Sequence, residues 1–219
     1  MTITAAVFDM DGLIFDTERL SFDTFTQAAG ELGWTASREA FLAGMGVPRA
    51  QIPKTLNEVL GRGFPALQVV DRSYELLEEL IDRDGPPMKD GVEAVLDALD
   101  DRGVRSVVAT STDTETARRY LRMAGIIGRF SGVIGGDQIE QGKPHPDIFL
   151  HAAETLESRP QATLVFEDSE IGARAALAAE SRVVVIPDFT EPSDHVRERI
   201  FAVLPSLQEA ARQIDSLLA

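Results

Sequence analysis

Two aspartates near the start of the chain, Asp9 and Asp11, have the type and spacing to do chemistry. They follow an apolar run at 5–8 that is typical of a buried strand, and alternation along a strand puts both side chains on one side of the backbone. Two neighbouring carboxylates favour a bound cation or one retained proton, and both outcomes are useful in catalysis. Gly12 allows a sharp turn directly afterwards. The sequence therefore predicts a strand end that presents two acids to a ligand.

Three later stretches carry polar residues just after an apolar run or just before a helical pattern. In an open parallel sheet the ligand crevice lies beyond the carboxyl ends of the strands. We therefore expect these residues to meet the two aspartates in one cavity. They are Thr110, Ser111, Thr112, Lys143, Glu167 and Asp168.

The acids of these motifs outnumber the single lysine, Lys143, and such a cluster is costly without a cation. Oxygen ligands and the absence of cysteine favour a hard ion such as Mg2+. Mg2+, Lys143 and the Thr110 hydroxyl together would form a cradle for a phosphoryl group. The candidate metal ligands are Asp9, Asp11, Glu167 and Asp168.

Each later motif also has a purely structural interpretation. The hydroxyls at 110–112 could cap the next helix, and the stretch 167–169 could be a helix N-cap with favourable dipole interactions. Lys143 alone would be a solvated loop residue. Only the recurrence of all the motifs at successive strand ends favours a shared site.

The elements that must position these residues follow a regular rhythm. Short runs rich in valine and isoleucine alternate with helical patterns from residue 92 onwards, which predicts a parallel sheet covered on both faces. Helical spacing dominates the stretch after the first strand. We expect a doubly wound α/β, Rossmann-like core at 1–16 and 84–219, with an all-helical cap inserted at 17–83.

Composition limits the class of partner. The 219 residues are 44% hydrophobic with a formal net charge of -15, which disfavours nucleic acid and anionic membranes as partners. No cysteine occurs, and no apolar run approaches the ~18 residues of a membrane span. We expect a cytoplasmic protein that is a monomer or weak homodimer.

The motifs, in this order and on these strand ends, resemble the signature of the haloacid dehalogenase superfamily of phosphohydrolases. The stretch at 17–83 is similar to the helical cap of its β-phosphoglucomutase and phosphoglycolate phosphatase branch. The resemblance covers essentially the whole chain, and it is far more specific for the superfamily than for the substrate. The matching residues are Asp9-Met10-Asp11-Gly12, Thr110, Lys143-Pro144 and Glu167-Asp168.

The resemblance implies a role for each matching residue. Asp9 would be the nucleophile that forms an aspartyl-phosphate, and Asp11 the general acid and base. Thr110 would donate a hydrogen bond to the phosphoryl group, and Lys143 would offset the charge shared by nucleophile and phosphate. The implied Mg2+ ligands are Asp9, the backbone carbonyl of Asp11, Asp168 and, directly or through water, Glu167.

Substrate choice is expected to depend on the cap. Arg49 is a candidate phosphate or carboxylate fork, or else a surface residue at a helix start. Ser21 and Asp113 stand where the mutases carry a histidine and a lysine, which weakens the mutase interpretation. The candidate substrate-binding residues are Gly46, Arg49, Ser111 and Thr112.

These features predict a Mg2+-dependent phosphatase that hydrolyses a small phosphorylated metabolite, such as a sugar phosphate, through an aspartyl-phosphate, with the cap closing to exclude water. The alternative enzyme is a sugar-phosphate mutase. A dehalogenase is disfavoured because Asp11 is present, and a signalling receiver because of the helical insert. An inactive phosphate-binding protein is disfavoured because no motif residue is missing.

Overall fold

A central strand, β1, organises the computed structural model, which describes residues 2–45, 47 and 50–219. It belongs to a parallel sheet of six strands in the order β3-β2-β1-β4-β5-β6, and all four of its residues are buried. The other strands lie on both sides of β1, with β2 and β3 on one side and β4, β5 and β6 on the other, as in a doubly wound fold. The strands are β1 Ala5–Phe8, β2 Arg105–Ala109, β3 Val133–Ile134, β4 Thr163–Glu167, β5 Arg182–Val185 and β6 Ala202–Val203.

The register of the three central strands determines which residues lie together at one edge of the sheet. Phe8 on β1 lies opposite Val108 on β2 and Phe166 on β4. Because the strands are parallel, the residues that follow these three leave the sheet at the same edge. The first acid, the first hydroxyl and the late acidic pair are thereby brought together.

The chain divides into two compact units, an α/β unit of Met1–Asp16 with Pro86–Ala219 and a helical unit of Thr17–Gly85. The sequence predicted the end of the insert at residue 83. In the structure its last helix continues to Asp84, and Gly85, at φ 81°, ends it by donating its N–H to the Ile81 carbonyl at 2.8 Å.

The helical unit has its own apolar core. Phe64 contacts both Trp34, edge to face at 5.4 Å between ring centroids, and Phe25 at 6.5 Å. Buried alanines such as Ala28 and Ala40 let the helices approach closely. Its helices are α1 Thr17–Glu31, α2 Arg38–Gly44, α3 Ile52–Leu60 and α4 Ala66–Asp84.

The α/β unit packs its helices onto the sheet. Phe149 on α7 and Ala176 on α8 belong to one buried cluster with Val7, Val107 and Val165 from the three central strands. Near-continuous burial of these strands explains their valine-rich composition. The helices are α5 Val92–Asp100, α6 Thr114–Met123, α7 Asp147–Thr155, α8 Glu170–Ala178, α9 Asp194–Arg197, α10 Leu207–Arg212 and α11 Ile214–Leu218.

The structure confirms the predicted fold class and corrects several elements. The strand predicted at 130–134 is only Val133–Ile134, since this is an edge strand with one neighbour. The short elements α9 and β6 were not predicted. The single C-terminal helix predicted at 205–218 is two helices, α10 and α11, which meet at Gln213. No described helix is long and apolar enough to cross a membrane.

Candidate active site

Lys143 lies between two buried carboxylates at the carboxyl edge of the sheet. Its Nζ donates to Asp9 Oδ1 at 2.5 Å and to Glu167 Oε1 at 2.6 Å, although the two partners come from different strand ends. The lysine side chain is 7% exposed and also lies 5.0 Å from the ring centroid of Phe149 on α7. The interpretation of Lys143 as a solvated loop residue is wrong.

Burial raises the pKa of Asp9 to about 7, and the charges of Glu167 and Asp11 add to the rise while Lys143 opposes it. Burial alone would lower the pKa of Lys143, but the carboxylates of Asp9 and Glu167 outweigh it and raise that pKa. The lysine stays cationic because it faces two carboxylates, and the group therefore holds excess negative charge that a cation would relieve.

Glu167 is held from both sides at the end of β4. It is fully buried, and its second oxygen, Oε2, accepts from the backbone N–H and the hydroxyl of Ser169, both at 2.9 Å. Ser169 is also the N-cap of α8, since its Oγ accepts from the N–H of Gly172 at 3.1 Å. Capping and site geometry therefore coexist in the stretch 167–169.

Gly172 makes room for this carboxylate, and sequence reasoning missed it. A Cβ at this position would lie 1.6 Å from Glu167 Oε1 and 2.0 Å from its Cδ. A glycine in the first turn of a helix that follows an acidic strand end is the signal that could have found it.

Three buried acids could hold a divalent cation. Carboxylate oxygens of Asp9, Glu167 and Asp168 all lie within 4.8 Å of one another. The donor set is oxygen only, and Lys143 does not balance it, so the residues fit a hard ion such as Mg2+. The Asp11 carboxylate is not part of this cluster.

Hydroxyl groups hold the Asp11 carboxylate instead. Thr110 and Thr112 donate to its Oδ2 at 3.1 and 2.7 Å, and the Thr112 N–H donates to Thr110 Oγ1 at 3.1 Å. The loop is fixed to the end of β3, because the Gly136 N–H donates to the Thr112 carbonyl at 3.0 Å. This arrangement orients the second aspartate of the pair.

Helix α6 takes its cap from a different residue than the hydroxyls at 110–112. Its N-cap is Asp113, which accepts from the Thr116 N–H at 3.0 Å. This hydrogen bond lowers the pKa of Asp113. Ser111 lies exposed on the same loop. Two other candidate substrate-binding residues, Gly46 and Arg49, lie outside the described residues.

Known proteins are similar to this chain in sequence and in fold. A family model for haloacid dehalogenase-like hydrolases matches residues 3–180, and the chain belongs to this family of hydrolases. The predicted resemblance is thereby confirmed.

Relatives within the family carry specific names. The chain is 32% identical over 216 residues to a phosphorylated carbohydrates phosphatase of Thermotoga maritima, covering 97% of this chain and 90% of the relative. It is 29% identical over 176 residues to the fructose-1-phosphate phosphatase of Escherichia coli, covering 79% and 90%. Its fold matches the crystal structure of β-phosphoglucomutase from Clostridium difficile with a TM-score of 0.76 at 21% identity, over 99% and 97% of the two chains.

Proposed function

We propose that this protein is a Mg2+-dependent phosphatase that hydrolyses a small phosphorylated metabolite of the sugar-phosphate class. The observation that carries the proposal is the buried group in which Lys143 bonds Asp9 and Glu167, with Asp168 in reach of both acids. A site with one fixed cation and excess acid suits a metal ion and a phosphoryl group. The names of the two phosphatase relatives support the same class of substrate.

Asp9 is assigned the role of nucleophile. Lys143 holds its Oδ1 and orients the carboxylate, so that the other oxygen attacks phosphorus. The Asp9–phosphorus bond forms as the bond from phosphorus to the substrate oxygen breaks, which gives an aspartyl-phosphate. Lys143 offsets part of the negative charge that this step concentrates.

Asp11 is assigned the proton transfers. In the first step its carboxyl group gives a proton to the departing substrate oxygen; in the second it takes a proton from the water that attacks phosphorus and releases Asp9. The two threonine hydroxyls on its Oδ2 fix its orientation for both steps.

The metal would be held by Asp9, Glu167, Asp168 and the backbone carbonyl of Asp11. When bound, Mg2+ would supply positive charge against the phosphoryl oxygens. We assign substrate recognition to the helical unit as a cap, to its residues Gly46 and Arg49, and to Ser111 and Thr112.

The test is phosphate release from a panel of sugar phosphates, including a hexose 1-phosphate, with and without Mg2+. We expect Mg2+-dependent release that Asp9→Asn reduces by at least about a thousandfold, because the nucleophile is lost. Asp215→Asn is the matched control, since Asp215 is 84% exposed and pairs with Arg102 on the surface, and it should keep wild-type activity.

Two outcomes would contradict the proposal. Appreciable turnover by a folded Asp9→Asn variant would exclude Asp9 as the nucleophile. Conversion of the hexose 1-phosphate to its 6-phosphate isomer, with little free phosphate, would identify a mutase instead.

A further inference from the structure

Lys89 is a second lysine at the carboxyl edge of the sheet, outside the four motifs. It lies just before α5 in the α/β unit, and its side chain is 24% exposed. Its Nζ donates to the backbone carbonyl of Gly12 at 2.6 Å and pairs with Asp188 Oδ1 at 2.8 Å. One ammonium group therefore joins the turn after β1 to the segment after β5.

The turn that Lys89 holds is the one that carries Asp11. Gly12 adopts a φ of 81°, its N–H donates to the Phe15 carbonyl at 2.9 Å, and the Lys89 N–H donates to the Ile14 carbonyl at 2.9 Å. The side chain and the backbone N–H of Lys89 thus donate hydrogen bonds to two carbonyls of the same turn, those of Gly12 and Ile14. The Gly12–Leu13 peptide, one residue beyond Asp11, is fixed by a charge-assisted hydrogen bond, the stronger kind.

Asp188 is the counter-ion of this lysine and a neighbour of the acidic cluster. One of its oxygens lies within 4.8 Å of an oxygen of Asp168. Its Oδ2 is buried and has no hydrogen-bond partner among the described residues. The ammonium group of Lys89 therefore also neutralises an acid that would otherwise add to the repulsion around Asp168.

We propose that Lys89 is a positioning residue for Asp11. It holds the backbone of the turn and thereby aligns the Asp11 carboxyl group with the leaving oxygen. The hydroxyls of Thr110 and Thr112 orient the side chain from one direction, and Lys89 fixes the main chain from the other. The inference rests on the proposed phosphatase function.

The test uses Lys89→Met, which keeps the aliphatic stem and removes the ammonium group. We compare kcat/KM for 4-nitrophenyl phosphate, whose leaving group needs little protonation, with that for phenyl phosphate, whose leaving group needs more. Misalignment of a general acid by a fraction of an ångström should lower kcat/KM for phenyl phosphate by about ten- to a hundredfold, with a clearly smaller loss for the nitrophenyl ester.

The matched control is Arg102→Met. Arg102 likewise bonds a backbone carbonyl, that of Ala98 at 2.8 Å, and a carboxylate, that of Asp215 at 2.6 Å, but it lies at the end of α5 rather than at a strand end. Its loss should leave the ratio of the two substrates unchanged. Thermal melting verifies that each variant is folded.

A double variant separates the two roles of Lys89. The loss of kcat/KM in Lys89→Met could come only from the Asp188 carboxylate, which no longer has a counter-ion. In that case the combination of Lys89→Met with Asp188→Asn would regain wild-type activity, and the positioning role would be overturned. We expect the substrate-selective loss to persist in the double variant and to be partly rescued by Lys89→Arg, which keeps a cationic donor.

Two further results have distinct meanings. Equal losses on both esters in Lys89→Met would overturn the positioning role while leaving the phosphatase intact. A wild-type protein that hydrolyses neither ester, nor any sugar phosphate of the panel, would instead refute the proposed function itself.

Discussion

Replacing Gly172 with alanine should destabilise the α/β unit, although alanine is the better helix former. A Cβ there would lie 1.6 Å from Glu167 Oε1, whereas ordinary contacts begin at 3.4 Å, so that oxygen would have to move by at least 1.8 Å. Glu167 cannot move that far and keep both the 2.6 Å bond to Lys143 and the 2.9 Å bonds to Ser169.

The size of the effect follows from what is broken. Separating one member of a buried ion pair costs about 3–5 kcal/mol. Alanine returns about 1 kcal/mol through its higher helix propensity. The free energy of unfolding should therefore fall by about 2–4 kcal/mol in Gly172→Ala.

Urea unfolding in the presence of a chelator measures this change without a contribution from metal binding. Gly128→Ala is the control in the same unit, because a Cβ at Gly128 would meet no atom within 4 Å. It should be neutral or stabilise by up to about 1 kcal/mol through the unfolded chain. If Gly172→Ala is as stable as the wild type, Glu167 does not occupy the space beside Gly172 and the described site geometry is wrong.

Two further predictions concern the metal and a helix cap. Mg2+ at about a hundred times its Kd should stabilise the fold by about 2.7 kcal/mol and raise Tm by roughly 5–10 °C, with a smaller rise in Asp168→Asn; an unchanged wild-type Tm would count against the acidic cluster as a metal site. Asp113→Ala should lower stability by about 1 kcal/mol at pH 7, because α6 loses its N-cap. Since the Thr116 N–H lowers the pKa of Asp113 below its ordinary value of 3.8, this difference should be present above that value and shrink as the pH falls below it; a constant difference down to about pH 2 would contradict the capping role.

The parallel sheet was predictable because its strands are buried on both faces. β1, β2, β4 and β5 are short runs dominated by valine and other apolar residues. A polar residue directly follows β1, β2 and β4, whereas β5 continues into Ile186 and Pro187. The strands β3 and β6 are only two residues long, too short for any periodicity to predict their bounds.

The polar motifs were predictable for a related reason. Parallel strands in register carry whatever follows them to one edge, so that Asp9, Thr110 and Glu167 could be placed together from the order of elements alone. What each side chain bonds was not predictable. The contact between Lys143 and Asp9 joins residues 134 positions apart, and nothing local specifies it.

Lys89 and Gly172 show most clearly which residues could not be identified from the sequence. Lys89 stands in a stretch of mixed polarity before a helix and looks like a surface residue; its partners lie 77 positions earlier, at Gly12, and after β5, at Asp188. Gly172 would be expected to weaken its helix by local propensity, and only the carboxylate beside it explains its presence. Residues that support a site carry weaker sequence signals than those that form it.

The place where the helical unit leaves the α/β unit has a consequence for how such enzymes diversify. The strand-like segments on either side of the insert are already joined, since the Asp16 N–H donates to the Pro87 carbonyl at 2.8 Å. A segment whose two junctions are tied together can be lengthened, shortened or exchanged during evolution with little strain on the sheet. The helical unit could thus be exchanged by recombination at this single junction, while the strand ends that carry the polar motifs stay as they are.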